Sequence, residues 1–162
     1  MTTTITPSLW FDDTLEDAID LYSSIFPDTK THAMMRGPDG KVFTAEFELA
    51  GQRFKGLNGG PMFPFTEAIS ITVECEDQDE VDRYWSALTA DGGEGGQCGW
   101  LKDRFGLSWQ IVPIELTDMV SHGSPEQIGR TMAALQTMQK LDVAALRAAY
   151  EGRPTGRGGR AI

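Results

Sequence analysis

Two hydrophobic periods alternate along the chain, and their order predicts a mixed α and β fold. Residues 5–11, 30–36, 41–50 and 53–58 alternate apolar and polar side chains with a period of two, which is typical of half-buried strands. Between the first two segments, apolar residues recur with helical spacing at Leu15, Ala18, Ile19, Tyr22 and Phe26. This stripe predicts an amphipathic helix that ends at Pro27. The first part of the chain therefore predicts the order βαβββ.

The same order begins again in the second half of the chain. Residues 68–75 alternate as a strand. An apolar stripe at residues 81–88 predicts a helix that begins just after Asp77, because Asp is a favoured helix N-cap. A glycine-rich connection at residues 91–96 follows this helix. The last two strands are expected at residues 97–102 and 107–114, with a turn at 103–106 between them. This internal repeat predicts two βαβββ modules in tandem, at residues 5–61 and 67–114.

A helical tail is expected after the second module, at residues 115–152. Ser124 and Pro125 are typical of the first turn of a helix, and Asp142 favours the start of a last helix. The Gly- and Arg-rich residues 153–162 predict a disordered end. The predicted fold class is α+β, with two modules and C-terminal helices forming one domain over residues 1–152.

Composition excludes several classes of partner. The 162 residues carry 14 basic and 24 acidic side chains, a net charge of −10, which opposes binding to nucleic-acid phosphates and to anionic lipids. No apolar run approaches the ~20 residues of a membrane span, and the first residues lack the basic start of a signal peptide. The expected location is cytoplasmic. Cys75 and Cys98 have no CxxC spacing and no nearby histidine, so a structural zinc site is not expected. Geometry leaves a disulfide between them open, but the expected intracellular location favours two free thiols.

Strand alternation gives each predicted sheet two chemically different faces. The face expected beneath the helices carries Phe43, Phe47, Ile69, Ile71 and Ile111. The opposite face carries Glu46, Ser70, Thr72 and Gln110. A flat sheet would leave this polar face in solvent, whereas a curved sheet would turn it into a cup suited to a small molecule.

Candidate site residues follow from these polar faces. The candidate ligand contacts are Trp10, Asn58, Ser70, Thr72, Cys98, Trp100 and Gln110. Glu46 is the candidate catalytic group, acting as a general base if burial raises its pKa. Two alternatives stay open: Glu46, Glu48 and Glu74 could hold Mg²⁺ or Mn²⁺, or the polar face could serve a homodimer or regulatory module that has no catalytic role.

Several segments together resemble one family. They are Leu57-Asn58-Gly59-Gly60-Pro61, Glu67-Ala68-Ile69-Ser70, Val81-Asp82-Arg83-Tyr84-Trp85, Cys98-Gly99-Trp100-Leu101-Lys102-Asp103-Arg104-Phe105-Gly106 and Ser108-Trp109-Gln110-Ile111-Val112-Pro113. The sequence resembles the PhnB-like family, often labelled 3-demethylubiquinone-9 3-methyltransferase-like, of the vicinal-oxygen-chelate superfamily. That superfamily includes glyoxalase I, extradiol dioxygenases and bleomycin-resistance proteins. The resemblance implies two βαβββ modules with curved, cup-forming sheets and a homodimer.

The resemblance also implies a divalent metal, held by a histidine and a carboxylate from each module. Those positions fall near Thr6 (or Ile5), Asn58, Ser70 and Gln110, whose hydroxyls and neutral amides bind dications weakly. We therefore expect no metal and no cofactor, and a metal-independent protein that binds or processes a small molecule in its cup. The alternatives are a metal-dependent lyase, isomerase or dioxygenase, or the methyltransferase of the family label. A Rossmann-type methyltransferase would need a strand, glycine-rich turn and helix that the sequence lacks.

Overall fold

The computed structural model describes residues 3–154, which divide into two compact units with the boundary between Thr66 and Glu67. The first unit contains the predicted elements in the predicted order. They are β1 (Ser8–Phe11), α1 (Leu15–Ile25), β2 (Lys30–Arg36), β3 (Val42–Leu49) and β4 (Gln52–Asn58). The expected first strand is shorter than predicted, because pairing begins only at Ser8.

The four strands of the first unit form one mixed sheet in the order β1-β4-β3-β2. β1 runs parallel to β4, and the other neighbours are antiparallel. Helix α1 packs on β3 and β4. Its buried side chains are Leu15, Ala18, Ile19 and Tyr22, as the helical spacing predicts. One face of the sheet is thus covered by α1.

A β-bulge shifts the pairing of β2 with β3. Met35 pairs with Thr44, whereas the next residue, Arg36, pairs with Val42, so Phe43 is the extra residue. A bulge reverses the alternation of side chains on either side of it. Val42 is accordingly buried and Phe43 is 49% exposed, so the prediction that Phe43 packs beneath the helix is wrong.

The second unit repeats the topology of the first. Its module contains β5 (Ser70–Cys75), α2 (Gln78–Thr89), β6 (Glu94–Gly95), β7 (Trp100–Lys102) and β8 (Ser108–Pro113). The sheet order is β5-β8-β7-β6, again with the first and last strands of the module parallel. The predicted α+β fold of two βαβββ modules is confirmed. Strand β6 lies within the segment predicted as a glycine-rich connection.

Burial in the second module follows the predicted alternation except at Ile69, which is exposed, and at Ser108, which is fully buried although it lies on the polar face. Ile111 is fully buried on the central strand β8, and Ile71 is half-buried on the edge strand β5. Ile69 is 68% exposed, because β5 begins only at Ser70 and no ladder pairing orients the preceding residue. The prediction that Ile69 lies beneath a helix is therefore wrong.

Three helices follow the second module: α3 (Ile114–His122), α4 (Pro125–Leu135) and α5 (Val143–Glu151). The predicted caps are confirmed, since Ser124 forms a capping box with Gln127 and Asp142 accepts a hydrogen bond from the Ala145 amide. Helix α3 lies in the predicted helical tail, although no start signal was identified for it in the sequence. Of the predicted disordered end, residues 155–162 lie outside the described residues. No helix between residues 3 and 154 is long and apolar enough to cross a bilayer.

Candidate functional site

The uncovered face of the first sheet carries two rows of side chains that run across its strands. Ser8, Lys55, Glu46 and Ala33 lie in one row, and Trp10, Leu57, Thr44 and Met35 lie in the next. Most of these residues line a cleft of about 360 Å³, whose lining includes Ser8, Met35, Thr44, Glu46, Lys55 and Leu57. We call this the module-one cleft. It combines two hydroxyls, one carboxylate and one ammonium group with apolar walls.

Glu46 forms the charged centre of the module-one cleft. One of its carboxylate oxygens lies 3.3 Å from Nζ of Lys55, and the other lies 3.9 Å from a guanidinium nitrogen of Arg53. The side chain of Glu46 is 44% exposed. The general-base role expected for Glu46 depended on burial, and this environment is only half-buried. Its carboxylate is better suited to binding a positive group of a ligand.

A second charged cluster lies farther along the same face, outside the cleft. The Glu48 carboxylate lies 2.9 Å from Nε2 of His32 and 3.9 Å from Nζ of Lys30. The hydrogen bond with His32 lowers the pKa of Glu48 below its ordinary value. Glu48 is thus engaged with its own strand neighbours.

Trp10 lies on the uncovered face but is held by the loop that follows β4. Its indole Nε1 donates to the Gly60 carbonyl at 2.8 Å, and its ring meets Phe63 edge-on with centroids 5.0 Å apart. A Cβ at Gly59 would overlap the ring, so only glycine admits the indole at this position. Trp10 therefore anchors β1 to this loop, while its half-buried ring remains beside the cleft.

Asn58 lies on the opposite face from the one expected. In β4 the buried side is that of Phe54 and Gly56, and Asn58 continues the same alternation. Its Oδ1 accepts a hydrogen bond from the Leu15 amide at 3.0 Å, and its Nδ2 donates to the Val42 carbonyl at 2.9 Å. Asn58 thus supplies the cap that Thr14 does not provide for helix α1. Its predicted placement on the polar face is wrong, because the regular alternation of β4 places Asn58 on the same side as Phe54 and Gly56, beneath helix α1.

The remaining predicted contacts belong to the second unit. On β5 and β8, Gln110 Nε2 donates to Ser70 Oγ at 2.8 Å, and Gln110 pairs in register with Thr72 on one side and Trp100 on the other. These four residues therefore share one face of the second sheet, as predicted.

The two cysteines have structural environments. Cys98 is half-buried against the apolar cluster of the tail helices, and its amide donates to the Met138 carbonyl. Cys75 is fully buried, and burial raises the pKa of its thiol to about 12. A thiol with such a pKa stays protonated at neutral pH and is a poor nucleophile.

The residues present do not fit a divalent metal at the positions that the family resemblance implies. Thr6 precedes β1, Asn58 holds helix α1, and Ser70 and Gln110 bond to each other. Glu46 and Glu48 are each engaged by basic side chains. Across residues 3–154, no three His, Cys, Asp or Glu side chains come close enough to ligate one ion.

Several polar residues of these faces were not among the sequence-based candidates, including Lys55, Lys102 and Ser108. Lys55 stands directly between Ser8 and Glu46 in the first sheet, and Ser108 stands between Ser70 and Lys102 in the second. Alternation alone could have placed them on the polar face. Their neighbours across the strands are known only from the register.

Comparisons with known proteins agree with this architecture. A family model described as 3-demethylubiquinone-9 3-methyltransferase matches residues 3–112. The PhnB protein of Bacillus cereus is 29% identical, with a TM-score of 0.64 over 68% of this chain and 99% of its own. No protein with a curated description matches at a significant level.

Two more distant structures share the fold at lower identity. A Pseudomonas aeruginosa protein is 19% identical, with a TM-score of 0.58 over 69% of this chain and 98% of its own. The fosfomycin resistance protein FosX of Listeria monocytogenes is 17% identical, with a TM-score of 0.51 over 70% of this chain and 93% of its own. The tandem modules and the family match over more than half of the chain lead to one conclusion: the chain belongs to the 3-demethylubiquinone-9 3-methyltransferase family.

Proposed function

We propose that this protein binds a small organic molecule in the module-one cleft and does so without a divalent metal. The single observation that carries the proposal is the cleft itself, which joins the Glu46–Lys55 ion pair to apolar walls on the uncovered sheet face. Its volume of about 360 Å³ lies within the range of small-molecule sites, roughly 300–1,000 Å³.

The lining suits a ligand that has both polar and apolar parts. Ser8 and Thr44 can donate or accept hydrogen bonds, and Glu46 and Lys55 offer one charge of each sign. Leu57 and Met35 can contact an apolar portion of the same molecule. In this proposal the Glu46 carboxylate and the Lys55 ammonium group orient the bound ligand.

The proposal is tested by thermal unfolding across a panel of metabolites, with EDTA present throughout. A true ligand at 100 times its Kd should stabilise the protein by ~2.7 kcal/mol. The variants Glu46→Gln and Lys55→Met should lose most of this stabilisation, because each removes a charge that lines the cleft.

Glu48→Gln is the matched control, since it makes the same chemical change on the same strand face but outside the cleft. The stabilisation by ligand should persist in this variant. Stabilisation that vanishes in EDTA would favour the metal-dependent alternative, and equal loss in the Glu46 and Glu48 variants would rule out the cleft as the site.

A further inference from the structure

The Ser108 hydroxyl is enclosed by protein but has no hydrogen-bond partner. The residue is 0% exposed, and Oγ is the one buried side-chain nitrogen or oxygen without a partner among residues 3–154. Ser108 alternates with Trp109 along β8, so it lies on the same face as Gln110, opposite helix α2. Buried hydroxyls are almost always hydrogen-bonded, so an unpaired one marks a place where a bound group can supply the bond.

The strand register surrounds Ser108 with groups that bind anions. Ser108 pairs with Ser70 on β5 and with Lys102 on β7. Directly opposed side chains have their Cβ atoms about 4.5–5.5 Å apart, so Ser70 and Lys102 are the nearest cross-strand neighbours of Ser108 on this face. On the far side of Lys102, Glu94 of β6 is the next residue in this row.

Lys102 already holds one carboxylate, and that carboxylate is exposed. An oxygen of Glu67 lies 2.5 Å from Nζ of Lys102. The hydrogen bond from Lys102 lowers the pKa of Glu67, so the carboxylate is ionised at neutral pH. Glu67 precedes β5 and lies outside the strand ladder. An exposed ion pair of this kind contributes little stability and can exchange its anion.

We infer that Lys102, Ser108 and Ser70 form a binding site for an oxyanion group, with the Glu67 carboxylate as an internal competitor that the ligand displaces. The ligand's carboxylate or phosphate would take the place of Glu67 on Lys102 and accept a hydrogen bond from the Ser108 hydroxyl. This site lies in the second unit and does not depend on the module-one cleft, so either proposal can fail without the other.

The first test is competition, measured by titrating the full chain with acetate and with inorganic phosphate at constant ionic strength. Binding is followed by the NMR signals of the Gln110 side-chain amide, which is bonded to Ser70. If the Glu67–Lys102 ion pair is formed about nine-tenths of the time, it leaves Lys102 available to an anion only about one-tenth of the time. Glu67→Gln should therefore bind the anion about tenfold more tightly. Glu126→Gln is the matched control, because it removes a carboxylate from an ion pair with Arg130 elsewhere in this unit.

The second test uses Ser108→Ala and Lys102→Met in the Glu67→Gln background. Both should weaken anion binding, whereas the folded stability of Ser108→Ala should not fall, since the hydroxyl has no partner to lose. Tighter binding of acetate than of phosphate would identify a carboxylate ligand, and the reverse order a phosphate ligand. Unchanged anion affinity in Ser108→Ala would mean that Ser108 bonds only a buried water and would overturn the inference. So would the absence of saturable binding in Glu67→Gln.

Discussion

Asp103 shows how much of the second module depends on one buried carboxylate. It is 2% exposed, and its Oδ1 accepts the amides of Phe105 and Leu107 at 2.9 and 3.1 Å. Its Oδ2 accepts the indole N–H of Trp109 at 2.9 Å. A buried donor that loses its partner costs about 1–3 kcal/mol, so Asp103→Ala should lower the free energy of unfolding by ~3 kcal/mol or more. Urea denaturation measures this loss.

Asp39→Ala is the control for Asp103. Asp39 accepts the Lys41 amide at 3.1 Å in an exposed turn, so water can replace the lost bond. Its loss should stay below about 1 kcal/mol. Equal effects of the two substitutions would contradict the structural role assigned to Asp103.

The turn between β3 and β4 contains a residue in an unfavourable backbone conformation. Leu49 pairs with Gln52, and the two residues between them have positive φ, 45° at Ala50 and 83° at Gly51. Two-residue turns of this kind favour Asn followed by Gly, because Asn adopts the left-handed region more readily than Ala. Ala50→Asn should raise the free energy of unfolding by ~0.5–1 kcal/mol. A lower unfolding midpoint would contradict this assignment of the turn.

Between elements, Gln78 links helix α2 of the second module to the tail helix α5. Its Nε2 donates to the Leu141 carbonyl at 3.0 Å, and its Oε1 accepts the Val143 amide at 2.8 Å. Val143 is the first residue of α5, so Gln78 caps that helix from a distant part of the sequence. Gln78→Ala should cost about 1–2 kcal/mol and should speed hydrogen exchange in α5 more than in α1.

Two residues provide the comparison for Gln78. Asp142→Ala removes the local cap of the same helix, an acceptor for the Ala145 amide, and should also loosen α5. Thr29→Ala removes a side-chain hydrogen bond within the first unit and should leave exchange in α5 unchanged. Unchanged protection of α5 in Gln78→Ala would show that packing alone holds the tail.

At the scale of the whole molecule, we propose a homodimer, with a mass about twice 17.8 kDa in light scattering at micromolar concentration. The apolar residues of the tail helices are mostly used within the chain. Leu135 and Leu141 are buried in the tail cluster, and Met138 packs against it. The first unit instead exposes Met62, at 72%. Phe63, the next residue, is 56% exposed, and contiguous exposed apolar side chains often mark interfaces.

Paired substitutions test which surface takes part in such a dimer. Met62→Glu should lower the measured mass toward that of one chain, because it places a charge on the exposed apolar surface of the first unit. Met132→Glu introduces the same charge on helix α4 of the tail and should leave the mass unchanged. A single-chain mass for the unsubstituted protein would refute the dimer.

The order of elements in both modules could be predicted from the sequence, because it depends on local periodicity. The helical stripe from Leu15 to Tyr22 and the capping residues Asp77 and Ser124 act within a few positions of themselves. The repeat of that order then predicted two modules of one topology. The predicted elements agree with the structure because interactions among neighbouring residues determine them.

The faces and partners of single residues were decided only by the tertiary structure. A bulge opposite β2 turns Phe43 outward, and the folded chain brings Asn58 of β4 to the Leu15 amide at the start of helix α1. Lys55 and Ser108 each meet one neighbour from a strand that lies far away in the sequence, Ser8 and Ser70 respectively. Local pattern predicts which element forms, but strand register decides which side chains meet, because register depends on contacts that only the folded chain makes.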